Sequence, residues 1–240
     1  MSNTLQILVV LAVAAVIGVL LVNSRHDSVL PTATIYSASD TAGGYCVPPD
    51  ATLKTYDPCP VVMMCLAGPV QVFSRSINGL KLSELLTGGP VALGVPGIGE
   101  TGVTVAPLAA QLLTDQSRLI VLGAGMVDCF FTDITLSAYM ALVDEAAWLI
   151  KAHGKTPIIR GYNQFIETPL MTPAVLARRD QFNRALQGYC HDAGIDFLDC
   201  SSVPFNGAAD LAPDMLHPSA GYHQRIAAFI AGRLKQIARV

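Results

Sequence analysis

The sequence predicts an α/β protein in which a parallel sheet is covered by helices on both faces. Short apolar runs alternate with amphipathic stretches from residue 33 to the end, the pattern that strand–helix–strand units produce. The amphipathic stretches carry their own start and stop residues. The roughly 205 residues involved suffice for one buried core.

The elements follow in chain order. ATIY (33–36) reads as the opening strand, and PVQVF (69–73) as another candidate inside a Pro-, Gly- and Cys-punctuated region from 43 to 79. That region breaks the alternation, and the expectation is an insertion, hairpin-like, on the same domain. VALGV (91–95) after a GGP turn is the next expected strand, followed by a helical stretch over 101–113 and the strand RLIVLG (118–123). Residues 135–153 place Leu136, Tyr139, Leu142, Val143, Ala146, Leu149 and Ile150 at helical spacing, closed by Gly154. Trp148 shares that helix and is expected in the core. TPIIRGY (156–162) is a strand, and 172–194 a helix with Pro173 in its first turn and Gly194 past its end. IDFLD (195–199) and a final helix over 218–237 complete the domain.

Ahead of this domain, residues 5–22 read LQILVVLAVAAVIGVLLV, with Gln6 the one polar interruption. As a helix the segment is about 27 Å long at about 1.5 Å per residue, near the roughly 30 Å of a bilayer core. It lacks a preceding basic region and a small-residue cleavage site, so the expectation is an uncleaved single-pass anchor over 1–25, a tether over 26–32 and a domain over 33–240. Membrane sidedness is weakly encoded. Arg25 alone favours an inward domain, whereas the even count of six cysteines suits the periplasm or the exterior. The equal alternative is that several cysteines are small buried hydrophobes. A net charge of −3 without a Lys/Arg cluster gives nucleic-acid binding no electrostatic support, and no Cys/His spacing fits a structural zinc.

The chemistry concentrates near the C-terminus, in Asp214-Met215-Leu216-His217-Pro218. A histidine acting as general base needs a carboxylate to fix its tautomer and stabilise the imidazolium, and a three-residue spacing lets one turn hold both. A bare D-x-x-H is more commonly a capping Asp beside a surface His. Followed by Pro218 and then Gly221-Tyr222, it resembles the final sequence block of SGNH (GDSL-like) hydrolases. That family's nucleophile block follows the first strand. Ser37-Ala38-Ser39-Asp40-Thr41-Ala42-Gly43 is similar to it, with Ser39 in the nucleophile place, Thr41 and Gly43 kept, and Ser37 and Ala38 replacing Gly and Asp. Ser76, in FSRSING after another strand, is the rival nucleophile; Ser39 stands 58 residues before Gly97 and Ser76 21, so spacing does not choose between them.

The family's second block donates a glycine amide to the oxyanion, and here Gly97 takes that place, with Ala92 where the family has Asn. Its third block carries an Asn donor. In this chain Gly123-Ala124-Gly125-Met126-Val127-Asp128 aligns Gly125 with it, leaving Gly125 as the second oxyanion position, and a backbone amide nearby or Asn163 as substitutes.

The resemblance implies a flavodoxin-like three-layer α/β/α sandwich and ester hydrolysis by a Ser39–His217–Asp214 triad without metal or organic cofactor. It implies a small acyl ester or O-acylated glycan as substrate. The altered blocks leave an alternative, a catalytically inactive SGNH fold serving as a binding or structural module at a membrane or virion surface.

Overall fold

The computed structural model describes residues 31–38, 44–47, 52–55, 60–68, 70–77, 79–91, 103–123 and 125–239. The anchor segment 5–22, Ser39 and Gly97 lie outside them. Among the described residues no helix is long and apolar enough to cross a membrane. Pro31–Val240 form one compact unit.

Five strands make the central sheet: β1 (Thr32–Ser37), β4 (Gln71–Ser74), β7 (Leu119–Gly123), β8 (Thr156–Arg160) and β9 (Asp196–Leu198). Their order is β4-β1-β7-β8-β9, and every pairing is parallel. The sheet is therefore parallel throughout, as the alternation predicts, with β1 inside it. Two antiparallel pairs stand apart: β2 (Gly44–Val47) with β3 (Thr52–Thr55), and β5 (Gly89–Pro90) with β6 (Thr104–Val105).

Helices α1 (Pro60–Ala67), α2 (Leu82–Thr87), α3 (Leu108–Thr114), α4 (Met126–Phe131), α5 (Leu136–Ala152), α6 (Pro173–Ala193) and α7 (Ala220–Ala238) complete the described elements. Because strand side chains alternate between faces, each central strand feeds two cores. Tyr36, Ile120, Leu122 and Ile159 pack with α2, α3, α5 and α6, while Ile35, Val121 and Ile158 pack with α1 and α7. Local chemistry sets the helix ends. Thr135, Thr172 and Ser219 are N-caps whose side chains accept from Ala138, Val175 and Tyr222 N–H groups, and Gly194 closes α6 at φ 61.

Three sequence expectations change. The region 43–79 contains the hairpin β2–β3, but its last residues form β4, an edge strand of the main sheet, so it is not wholly an insertion. Its Val72 alternates into the α1/α7 core, which fixes it there. The helix expected over 101–113 begins only at Leu108, because Thr104 and Val105 pair with Pro90 and Gly89. Of the expected strand 91–95, only Val91 is described, and it is not in a strand. Trp148 is 65% exposed, since the buried stripe of α5 runs through Tyr139, Val143, Ala146, Ala147 and Ile150. Cys65, Cys129 and Cys190 are free thiols, and Cys129, Cys190 and Cys200 are buried, as small hydrophobes are.

Candidate active site

In an open parallel sheet, residues at the carboxyl ends of the strands converge beyond the sheet edge. Here β1 ends at Ser37, in register with Gly123 at the end of β7. The Ser37 hydroxyl donates to the Gly123 carbonyl at 3.1 Å. Fully buried Ala38 follows, and the chain continues into Ser39.

Opposite lies the loop entering α7. His217 Nδ1 is 2.7 Å from Asp214 Oδ2, and the other carboxylate oxygen accepts the His217 and Leu216 backbone N–H groups at 2.9 and 3.0 Å. One carboxylate thus holds both the ring and its backbone. The turn needs Met215 at φ 57, a conformation few side chains adopt. Flanking bonds fix it: Ala212 N–H to His217 O at 2.7 Å, Met215 N–H to Ala212 O at 2.9 Å and Ser219 N–H to Asp210 O at 2.8 Å. His217 and Asp214 are nearly buried, so their charge-assisted hydrogen bond escapes most solvent screening. The Asp214 acceptor assigns the ring proton to Nδ1 and makes Nε2 the basic nitrogen.

Ala38 and His217 line the same pocket, an apolar cavity with about 320 Å³ of empty volume. Its other walls are Met126, Val127, Phe130, Phe131, Phe165, Leu216 and Pro218. Phe130 meets Phe165 edge-to-face at 5.3 Å and Phe131 at 6.1 Å. The arrangement offers a base beside a small water-excluding slot.

Gly125 begins α4 at the rim of this slot, at φ 121. A Cβ there would lie 2.3 Å from the Tyr139 hydroxyl. The Tyr162 hydroxyl donates to the Gly125 carbonyl at 3.2 Å and lies 3.1 Å from that of Tyr139. Burial pushes both phenols above their ordinary range, so they act as neutral props. The tyrosine pair explains why a side-chain donor is absent at 125. Asn163, the other substitute, is fully buried; its Oδ1 accepts from Arg160 at 2.8 Å, and its Nδ2 donor has no hydrogen-bond partner among the described residues.

The strand–turn–helix unit beside β1 runs from β4 to α2. Ile77 N–H donates to Ser37 O at 3.0 Å, and Gly79 turns the chain at φ 79 before α2. Buried Asp128 accepts the Leu82 N–H at 2.8 Å, tying that turn to the segment after β7. Burial raises the Asp128 carboxyl above its usual range, against the hydrogen bond from Leu82, which lowers it. Sequence reading missed Gly79; the Asn-Gly pair before LKLSELL was the available signal. Ser76 sits after this edge strand, and its buried hydroxyl has no hydrogen-bond partner among the described residues.

A second buried histidine, His223, lies near His217 and Arg160. Burial, then the charges of Arg160 and His217, push it down to about 3, so it stays neutral. Burial likewise pushes the Cys129 and Cys190 thiols up to about 12, which makes them poor nucleophiles. His153 caps α5, its Nδ1 2.8 Å from Leu149 O, and His191 is on the surface.

The sequence model of the GDSL-like Lipase/Acylhydrolase family matches residues 75–225, well over half the chain. The match starts at the end of β4 and contains Gly79, Gly97, Gly125, Asp214 and His217, while Ser39 precedes it. No curated protein sequence matches the chain. Among solved structures, Est24, a carbohydrate acetylesterase from Sinorhizobium meliloti, superposes with a TM-score of 0.64 at 11% identity, over 86% of this chain and 98% of that one. The acetylxylan esterase Axe2 from Geobacillus stearothermophilus gives 0.58 at 17%, covering 85% and 94%. A GDSL-like lipase from Bacteroides thetaiotaomicron gives 0.59 at 14%, covering 86% and 88%. At these identities the likeness concerns the fold.

Proposed function

The chain belongs to the GDSL-like lipase/acylhydrolase family, and on that premise we propose that it is a serine esterase for short acyl esters, with O-acetylated carbohydrate the favoured substrate class. The observation that carries the reading is His217, held by Asp214, lining one pocket with Ala38, the residue before Ser39. In this reading Ser39 attacks the acyl carbonyl while His217 Nε2 takes its proton. Asp214 holds the ring and stabilises the imidazolium. His217 then protonates the leaving alcohol, and water hydrolyses the acyl-enzyme.

Backbone amides receive the oxyanion: that of Ser39, that of the glycine beside β1 and one at the start of α4 near Gly125. The topology favours Gly79 over Gly97 for the second role, because β4 is the strand hydrogen-bonded to β1. The small aromatic slot supports a short acyl chain. Two proteins of similar fold, the Sinorhizobium carbohydrate acetylesterase and the Geobacillus acetylxylan esterase, support the sugar ester. The apolar segment 5–22 would tether the domain at a membrane, on the periplasmic or extracellular side where surface glycans lie.

A fluorophosphonate probe applied to the full chain tests this. Labelling of the wild type and of Ser76→Ala, lost in Ser39→Ala, is the expected result. The inactive-module reading draws on Gly125, where Tyr139 leaves no room for a donor side chain; a wild type that takes no label would establish it over the esterase.

A further inference from the structure

A second cavity opens on the same sheet, away from His217. Thr34 of β1, Phe73, Ser74 and Arg75 at the end of β4, and Thr114, Asp115, Gln116 and Ser117 from the end of α3 to the start of β7 line an open cavity with about 660 Å³ of empty volume, part of it continuous with solvent. Its floor is rigid. The Asp115 carboxylate accepts from Thr34 Oγ1 at 3.0 Å, from the Tyr36 hydroxyl at 3.0 Å and from Ser117 N–H at 2.8 Å. Thr34 also reaches Ser117 Oγ at 2.8 Å, and Lys155 Nζ donates to the Asp115 and Ser117 carbonyls at 2.6 and 2.8 Å. This network exceeds what a surface turn needs, and it presets the cavity before any ligand arrives.

Two side chains stand out from that floor. Phe73 shares the face of Thr34, its partner across the strands, yet is 45% exposed. Arg75 lies 4.0 Å from Asp115 with its side chain 44% exposed, so guanidinium donors remain for a ligand. Lys155 spends its ammonium on the two backbone carbonyls behind this wall and Arg75 faces Asp115, so each cation already has an oxygen acceptor. A flat apolar ring beside hydroxyls, an amide and a guanidinium suits a neutral polyhydroxyl ring, with C–H groups over the phenyl and hydroxyls toward the polar wall.

We propose that this cavity binds a neutral sugar residue. The binding assignment stands on the cavity alone; its service as a subsite for the non-reacting part of a glycan ester rests on the esterase reading above. Arg75 and Ile77 donate backbone N–H groups to Ile35 and Ser37 carbonyls. Sugar held here would lie beside Thr34, on the strand that runs on through Ser37 to Ser39.

The test is calorimetric titration of the full chain with unacylated xylotetraose, cellotetraose, mannotetraose and chitotetraose, which needs no hydrolysis. At least one should bind in the millimolar range or tighter. Phe73→Ala and Arg75→Gln should each weaken it by about tenfold, while Trp148→Ala, at an exposed aromatic on α5, leaves it unchanged. Thermal melts would verify that the variants fold. Failure of all four sugars to bind, or binding indifferent to both variants, overturns the proposal. So does concentration-dependent dimerisation abolished by Phe73→Ala, which would make this face a contact between copies. Sugar binding without fluorophosphonate labelling would sink the esterase reading and spare this one; labelling without sugar binding would do the reverse.

Discussion

The two cavities on the sheet are built in opposite ways. The one beside His217 is walled by Met126, Phe130, Phe131, Phe165 and Leu216, side chains that offer a ligand only displacement of water. The one beside Asp115 is walled by hydroxyls, an amide, a guanidinium and a carboxylate already held by three donors. An apolar slot discriminates by size and shape, at about 1–3 kcal/mol per methylene. A polar cavity discriminates by hydrogen-bond pattern. An acyl ester of a sugar has one half suited to each. The division also appears in the carboxylates: Asp214 is committed to the His217 ring, and Asp115 to holding a wall still.

The comparison breaks most decisively at the proposed triad. Ser39→Ala should lower kcat by on the order of 10⁴-fold or more in aryl acetate hydrolysis, with Ser76→Ala near wild type. Equal loss in both variants would move the chemistry to β4. Asp214→Asn should cost about 10³–10⁴-fold in kcat with KM little changed, because the ring loses its tautomer control. A fall below tenfold would mean that the 2.7 Å contact is structural only.

Smaller effects sharpen the size argument. Phe131→Ala enlarges the apolar slot and should raise the hexanoyl-to-acetyl ratio of kcat/KM by about tenfold. An unchanged ratio would place acyl selection elsewhere.

Acid addresses what lies under the apolar site. His223 is held near 3 in the folded chain against an ordinary value of 6.5. A depressed value means that the unfolded chain binds the extra proton. The stability due to neutral His223 is full above about 6.5 and is lost as pH falls toward 3, by up to about 1.4 kcal/mol per pH unit. Urea unfolding at pH 7, 5 and 4 should show that slope reduced in His223→Gln, and parallel curves for both proteins would refute it.

The contiguous part of the site was legible in the sequence. Asp214, His217 and Pro218 lie within one turn, and Ser219 caps the next helix. Their roles follow from bonds formed over three residues. The caps Thr172 and Gly194 were readable for the same reason. Other features depend on partners far along the chain. Trp148 sits on a helix whose core stripe is chosen by what the neighbouring strands and α6 present, so its exposure escaped a periodicity argument. Gly125 looked like a lost donor until Tyr139 and Tyr162 were seen beneath it.

By itself the sequence determined the parallel α/β class, the ends of the long helices and the Asp214–His217 unit, because hydrophobic period, capping and a tight turn are local physics. Tertiary structure alone decided that β4 borders β1, that Gly79 therefore turns beside the opening strand, and that Thr34, Arg75 and Asp115 share a cavity. Strand order and the walls of a pocket are set by which buried surfaces fit together. That fit joins residues far apart, 83 positions in the case of Thr34 and Ser117, and no window along the chain contains it.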